Sequence, residues 1–169
     1  MRAGRWRHWA VGACGAAVVA ACEPQQPTNV PAAAAVTASA TGGLATGFDS
    51  GPVRTAAEYL IDARFASADR ARGELLSLAC AACHTLAAGQ GTLVGPNLHG
   101  VFGRKAGSVA GFAYSPALQT AQLVWTPVSL EAWLAEPARF VVGTTMTFSG
   151  YRSADDRRDL IAHLLRATQ

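Results

Sequence analysis

Two cysteines separated by two residues, with a histidine directly after them, are the most chemically suggestive group in this 169-residue chain: Cys80-Ala81-Ala82-Cys83-His84. Thiols at that spacing can add to the two vinyl groups along one edge of a porphyrin, and the adjoining imidazole then lies under the iron. This is the pattern of c-type haem attachment. Paired cysteines serve two other chemistries. A zinc site would need further ligands, and the chain has no second C-x-x-C pair and no His-x₃₋₅-His. A thioredoxin-like redox pair usually follows a strand and needs no histidine at this place. One covalently bound haem c is the expected cofactor, with Cys80 and Cys83 as attachment points and His84 as an axial ligand.

The other face of the iron needs its own donor. Apart from Met1 the chain has one methionine, Met146, in the stretch Gly143-Thr144-Thr145-Met146-Thr147-Phe148. A solitary methionine is often core filler. This one lies in a short polar segment with no helical apolar pattern, which is poor placement for filler. A thioether is a soft ligand that favours ferrous iron and raises the potential relative to a second imidazole. His99, in a glycine-rich loop, and His163, near the C-terminus, are the competitors. Met146 is the expected second ligand.

The elements that must position these groups are helical. Ser67 or Asp69 can cap a helix over residues 70–79 that runs into Cys80. Residues 89–111 are dense in glycine with few periodic apolar positions and should form loop. Ser129 opens a short helix to Glu136, stopped by Pro137. Asp155 and Asp156 begin a final helix with Leu160, Ile161, Leu164 and Leu165 on one stripe. Its acidic start and Arg166 near its end suit the helix dipole. No strand pattern of useful length and no internal repeat is present, so the fold class is a small all-α domain with long loops.

Ahead of that domain the composition changes twice. Residues 1–9 hold Arg2, Arg5 and Arg7, and residues 10–21 are small and apolar, ending Val19-Ala20-Ala21-Cys22. A charged segment followed by a short apolar one reads as an export signal over residues 1–21. The ending resembles the lipobox of bacterial lipoproteins and makes Cys22 the expected lipidation site. An ordinary signal cut near Ala21 is the alternative, and Val11-Gly12-Ala13-Cys14 is a weaker lipobox candidate. Residues 23–51 are rich in Pro, Ala, Thr, Gly and Gln, so residues 22–54 are expected to be a lipidated N-terminus and tether. Residues 55–66, with Tyr59, Leu60 and Phe65, read as an extra helix or as more tether, the helix formers favouring the first. The compact domain is placed at residues 67–169.

Length fits one domain plus a tail, and a chain half apolar with 15% charged residues is not wholly disordered. No apolar run reaches the roughly 18 residues that a spanning helix needs. The formal charge of +3 comes from the three leader arginines; the rest carries 11 basic and 11 acidic side chains. No basic patch remains to neutralise phosphates, which sets nucleic acid aside as a partner.

From about Asp69 to Ala167 the chain resembles the class I (mitochondrial-type) cytochrome c family, in a membrane-anchored bacterial form. Gly73 matches the small residue where the first family helix packs on the last. Gly95-Pro96-Asn97-Leu98-His99-Gly100 is similar to the loop whose proline carbonyl accepts the ligand imidazole's proton, which implies that Pro96 orients His84. The run Val101 to Leu118 resembles the segment at the haem propionate edge, implying Arg104, Tyr114 and Trp125 as propionate partners. The run Leu130 to Phe148 matches the approach to the methionine ligand, with Thr144 and Phe148 in family positions, which implies Thr144 as a haem contact. There are departures. Trp133 stands where a tyrosine is usual near the methionine sulfur. Ser77 and His163 occupy usual aromatic positions on the first and last helices, which predicts a weaker contact there or substitution by Leu76 and Leu78. Of the lysines usual around the haem edge only Lys105 remains, with Arg139 near the rim, so strong steering by charge is not expected.

The resemblance implies a small cytochrome c fold wrapped around one haem. It also implies an electron-transfer protein rather than an enzyme. Two protein ligands leave no open iron position, which suits outer-sphere transfer. The expected function is a monomeric carrier of single electrons between membrane redox complexes, respiratory or photosynthetic. A quinol-oxidising donor and a terminal-oxidase-like acceptor are the expected partners, met at the periplasmic face of a bacterial membrane. Soluble periplasmic residence is the alternative location. The functional alternatives are a peroxidase-like or gas-binding haem protein, reached if Met146 dissociates, and an electron-transfer subunit dedicated to one periplasmic dehydrogenase. No catalytic dyad or nucleotide loop is present.

Overall fold

The last helix organises the rest, because its apolar stripe is the most deeply buried surface among the described residues. The computed structural model describes residues 52–169, in which seven helices follow one another: α1 (Ala56–Leu60), α2 (Ala63–Ala66), α3 (Arg70–Ala81), α4 (Pro116–Thr120), α5 (Pro127–Ala135), α6 (Pro137–Phe140) and α7 (Ala154–Ala167). In α7, Leu160, Ile161, Ala162, Leu164 and Leu165 are buried. The Ser153 hydroxyl caps its start by accepting from the Asp156 amide at 3.2 Å. Among the described residues there is no strand; a single antiparallel bridge joins Lys105 and Val124. No helix among them is long and apolar enough to cross a membrane.

α3 packs on α7 more extensively than any other helix pair. Gly73 permits this: a Cβ there would lie 2.2 Å from the carbonyl oxygen of Asp159. At its start, capped by Asp69, the two helices are tied by charge. Arg72 donates to both carboxylate oxygens of Asp156 at 2.9 and 3.1 Å. The buried Asp159 carboxylate accepts from the Asp69 amide at 3.2 Å and from Arg158 at 2.8 Å. The contact is therefore close despite the absent aromatic pair. Leu76 is buried in it, whereas Leu78 is 61% exposed and substitutes for nothing. Ser77 is buried, with its hydroxyl satisfied by the Glu74 carbonyl at 2.7 Å. The Tyr151 hydroxyl donates to the Leu76 carbonyl at 2.9 Å from the far side.

Residues 55–66 form two helices rather than one. Thr55 and Glu58 make a reciprocal capping box for α1, and Asp62 restarts the chain by accepting from the Arg64 amide at 3.0 Å. Tyr59 and Phe65 both belong to the core cluster. Arg64 pairs with Glu131 of α5, and the same carboxylate accepts from Arg157 of α7 at 3.1 Å. Even Pro52 and Arg54 are engaged: the Tyr59 hydroxyl donates to the Pro52 carbonyl at 3.0 Å, and the Arg54 guanidinium lies 4.5 Å from the Tyr59 ring centroid. The core thus takes in side chains ahead of Ser67, and residues 52–54, assigned to the tether, lie against it. We call residues 52–66 the strap.

Proline opens helices here as well as closing them. Pro127 is the first residue of α5, whose Thr126 and Ser129 cap each other's backbone, so this helix starts two residues before Ser129. Pro137, read as a stop, also begins α6. Pro116 begins α4 behind the Ser115 cap, a helix the apolar pattern did not announce. Between α3 and α4 the chain is loop, braced where Ala106 donates to Leu123 at 2.8 Å and Trp125 to Arg104 at 2.9 Å. The expected export signal over residues 1–21, Cys14, Cys22 and residues 23–51 lie outside the described residues.

Candidate haem site

α3 carries Cys80 in its last turn, and Cys83 follows just beyond its end. The chain turns there as the amides of Cys83 and His84 both donate to the Cys80 carbonyl, at 3.0 and 2.8 Å. Cys80, Cys83 and His84 consequently face one cavity of about 380 Å³. No disulfide joins Cys80 and Cys83. Burial pushes the Cys80 thiol up to about 11, the opposite of the depressed pKa that makes a redox-active C-x-x-C pair reactive. Nor is there a group of three or more His, Cys, Asp or Glu side chains placed to hold a metal among the described residues, so a zinc site has no donor set.

The imidazole is held by the loop that follows. Nδ1 of His84 donates to the Pro96 carbonyl at 2.7 Å. That bond fixes the tautomer and leaves the Nε2 lone pair for a metal. Burial lowers the His84 pKa, with the Pro96 bond opposing, so the neutral ligand form is favoured. Gly95 makes the approach possible, since a Cβ there would fall 2.3 Å from Cε1 of the ring. Asn97 staples this loop to the preceding one. Its amide nitrogen lies 2.7 Å from the Thr85 hydroxyl and 3.0 Å from the Ala87 and Gln90 carbonyls, and its oxygen accepts from the His99 amide at 2.6 Å.

The same cavity is lined by Met146, with Thr145, Thr147 and Phe148 beside it in the wall. His99 and His163 are not in the wall. Nδ1 of His99 is buried with no hydrogen-bond partner; His163 sits on α7, where its Cβ neighbours Gly73. Thr144 is also outside the wall: its hydroxyl accepts from the Met146 amide at 3.2 Å, so it shapes the methionine's turn instead. Pro96, Arg104, Tyr114 and Trp125 do line the cavity. Arg104 is already forked onto the chain, donating to the His99 carbonyl at 2.8 Å and the Asn97 carbonyl at 2.9 Å. Burial lowers its pKa, and the nearby Tyr114 counteracts this.

The remaining wall is aromatic and aliphatic. Trp133 meets Trp125 edge-to-face at 5.4 Å and Phe140 at 6.4 Å. Phe112 and Tyr114 do the same at 4.7 Å. Gly95, Asn97, Phe112 and Leu130 enter the sequence reading only as members of family-like runs, with no role of their own. Two thiols on one side, imidazole and thioether donors, a glycine cradle for the imidazole and apolar walls all fit a planar apolar macrocycle carrying a soft-ligated iron.

Comparison with known proteins decides the family. The chain is 42% identical over 106 residues to a cytochrome c of Cochliobolus lunatus, a match covering 62% of this chain and 98% of that protein. A cytochrome c of Arabidopsis thaliana is 44% identical over 95 residues, 56% of this chain and 85% of the relative. The chain belongs to the cytochrome c family. A third member, from Chlamydomonas reinhardtii, is 44% identical over 101 residues, 59% of this chain and 90% of its own length. No family model matches the chain. As a class I cytochrome c it has the small all-α fold of that family, binds one covalently attached haem c and is an electron-transfer protein, not an enzyme.

Proposed function

We propose that this cytochrome c works as a membrane-tethered carrier. It takes single electrons from a quinol-oxidising complex and passes them to a terminal-oxidase-like acceptor, at the periplasmic face of a bacterial membrane. The observation that carries the site reading is the convergence of Cys80, Cys83, His84 and Met146 on one cavity. Cys80 and Cys83 would bear the porphyrin; His84, oriented by Pro96, and Met146, set by Thr144, would hold the iron. The haem, when bound, supplies an iron that changes by one electron without a bond being made to substrate. The protein's part is to keep both ligands in place, so that little rearranges on transfer. Arg104, Tyr114 and Trp125 are proposed at the propionate edge, where a guanidinium and two rings with single donors suit carboxylates.

Tethering rests on the sequence. Val19-Ala20-Ala21-Cys22 supports lipidation at Cys22, and residues 23–51 would then span the gap to the described domain. The test is the intact mass of protein purified from membranes, which reads haem addition and acylation together. One haem plus a lipid-modified Cys22 is expected; a colourless polypeptide overturns the site, and an unacylated one the tether. Met146→Ala is expected to abolish the weak near-infrared sulfur-to-iron band of the ferric protein. A band that survives the substitution would remove Met146 as ligand.

A further inference from the structure

We infer that the mouth of the haem cavity docks a redox protein through an uncharged, apolar face on both sides. This rests on the carrier reading and identifies the chemistry of the partner. Between residues 81 and 130 the only Lys, Arg, Asp or Glu side chains are Arg104 and Lys105, and between 137 and 151 the only one is Arg139. These two segments and the end of α3 supply most of the cavity wall. Among the wall residues Arg104 is the one guanidinium, and no carboxylate or ammonium joins it. Two of its N–H donors are engaged by the His99 and Asn97 carbonyls. Where the wall reaches solvent it shows Val94, 81% exposed, with Ala79, Thr145 and Thr147 also exposed. Leu93, 55% exposed, stands beside Val94.

The charges lie elsewhere and mostly face one another. Arg64 and Arg157 share Glu131, Arg72 meets Asp156, and Arg158 meets Asp155 and Asp159. Arg139 faces Glu136 at 3.7 Å, and the exposed Lys105 and Arg152 are not in the cavity wall. Residues 52–169 hold 11 basic and 9 acidic side chains, so there is little net field to steer an approach. A partner presenting a ring of carboxylates would lose their hydration against Val94 and Leu93, with the chain-bound Arg104 as the one wall cation to compensate. An uncharged apolar face loses nothing of the kind, and its contact core would match the charge-depleted centre usual in protein interfaces.

Two small oxidants of opposite charge test this on the reduced holoprotein. Ferricyanide takes one electron and becomes ferrocyanide; tris(phenanthroline)cobalt(III) takes one and becomes cobalt(II). In each case the protein goes from ferrous to ferric. Both rate constants are expected to change by less than about threefold between low and high salt, since salt acts mainly where a charged surface steers encounter. Val94→Lys and Leu93→Lys should each make the ferricyanide rate rise at low salt and fall on adding salt. A second readout involves no electron transfer. With the ferric protein, the cobalt complex, a cation with an apolar ligand shell, should shift amide resonances of residues 93–94 and 145–147 equally at low and high salt. The redox-inert anion hexacyanochromate(III) should not broaden them selectively.

Steep salt dependence of the wild-type rates, or selective broadening of those amides by the anion, overturns the inference while leaving the carrier reading intact. Failure to exchange electrons with either oxidant sinks the carrier reading itself. Concentration-dependent dimerisation in sedimentation, abolished by Val94→Lys, would assign the face to a second copy and overturn the proposal. Should either lysine variant fail to assemble with haem, the wild-type measurements still decide.

Discussion

A methyl group on Gly95 would have to share space with the imidazole of His84, because the Cβ position lies 2.3 Å from Cε1 and 2.6 Å from Nδ1. The ring cannot swing aside without breaking its 2.7 Å bond to the Pro96 carbonyl. Gly95→Ala is therefore expected to destabilise the holoprotein by about 1–3 kcal/mol, the usual cost of overpacking, and to disturb axial ligation. Denaturant unfolding followed by haem absorbance, with the near-infrared band recorded alongside, reads both; an unchanged band and midpoint would contradict the crowding argument. His163 provides a second residue-scale case. Burial lowers its pKa below the ordinary 6.5, with Glu74 opposing and Arg166 assisting. The unfolded chain then binds the proton more readily than the folded one, so this contribution is whole above about 6.5 and is lost as pH falls below it. His163→Gln should flatten the decline in stability between pH 7 and 5. Urea midpoints of both proteins across that range check it.

The strap bears on where folding ends and linker begins. Were residues 55–66 a passive extension, shortening Phe65 would cost nothing measurable. Phe65 is instead 3% exposed within the core, and Arg64 beside it pairs with Glu131. Phe65→Ala is expected to cost about 3 kcal/mol or somewhat more, with the visible spectrum unaltered because Phe65 does not line the cavity. A thermal midpoint equal to wild type would return the segment to the tether. What could be read in advance follows the same division. α3 and α7 were legible because their caps and apolar stripes are local, and the C-x-x-C-H run carries its chemistry in its own spacing. The break at Asp62 was not legible, since it depends on Tyr59 and Phe65 both finding the core. α4 and α6 were missed because a proline at a first helical position looks, in one dimension, like one that ends a helix. Thr144 was read as a cofactor contact, yet its hydroxyl holds the Met146 amide. Family position marks such a residue as near the site without saying which neighbour it touches.

At the scale of the whole molecule, the paired charges and the proposed tether bear on one problem, that of finding a partner. A carrier with 11 basic and 9 acidic side chains over residues 52–169 gains little from long-range attraction. If Cys22 is acylated, the domain stays linked to the membrane surface through residues 23–51. Confinement of that kind gives an effective concentration on the order of mM for short links, without any new contact. Protein lacking residues 1–51 is expected to keep its near-infrared band and its potential, because no site residue is removed. It should nevertheless require on the order of 10² times more protein to restore oxygen uptake in membranes depleted of the native form. At saturating concentration the two should run at the same rate, since the tether changes encounter and not transfer. Equal potency at low concentration would show that free diffusion suffices and that the N-terminal segment serves another purpose. A truncated protein that stayed slower even at saturation would place part of the docking surface within residues 1–51, and an uncharged mouth acting alone would then be ruled out.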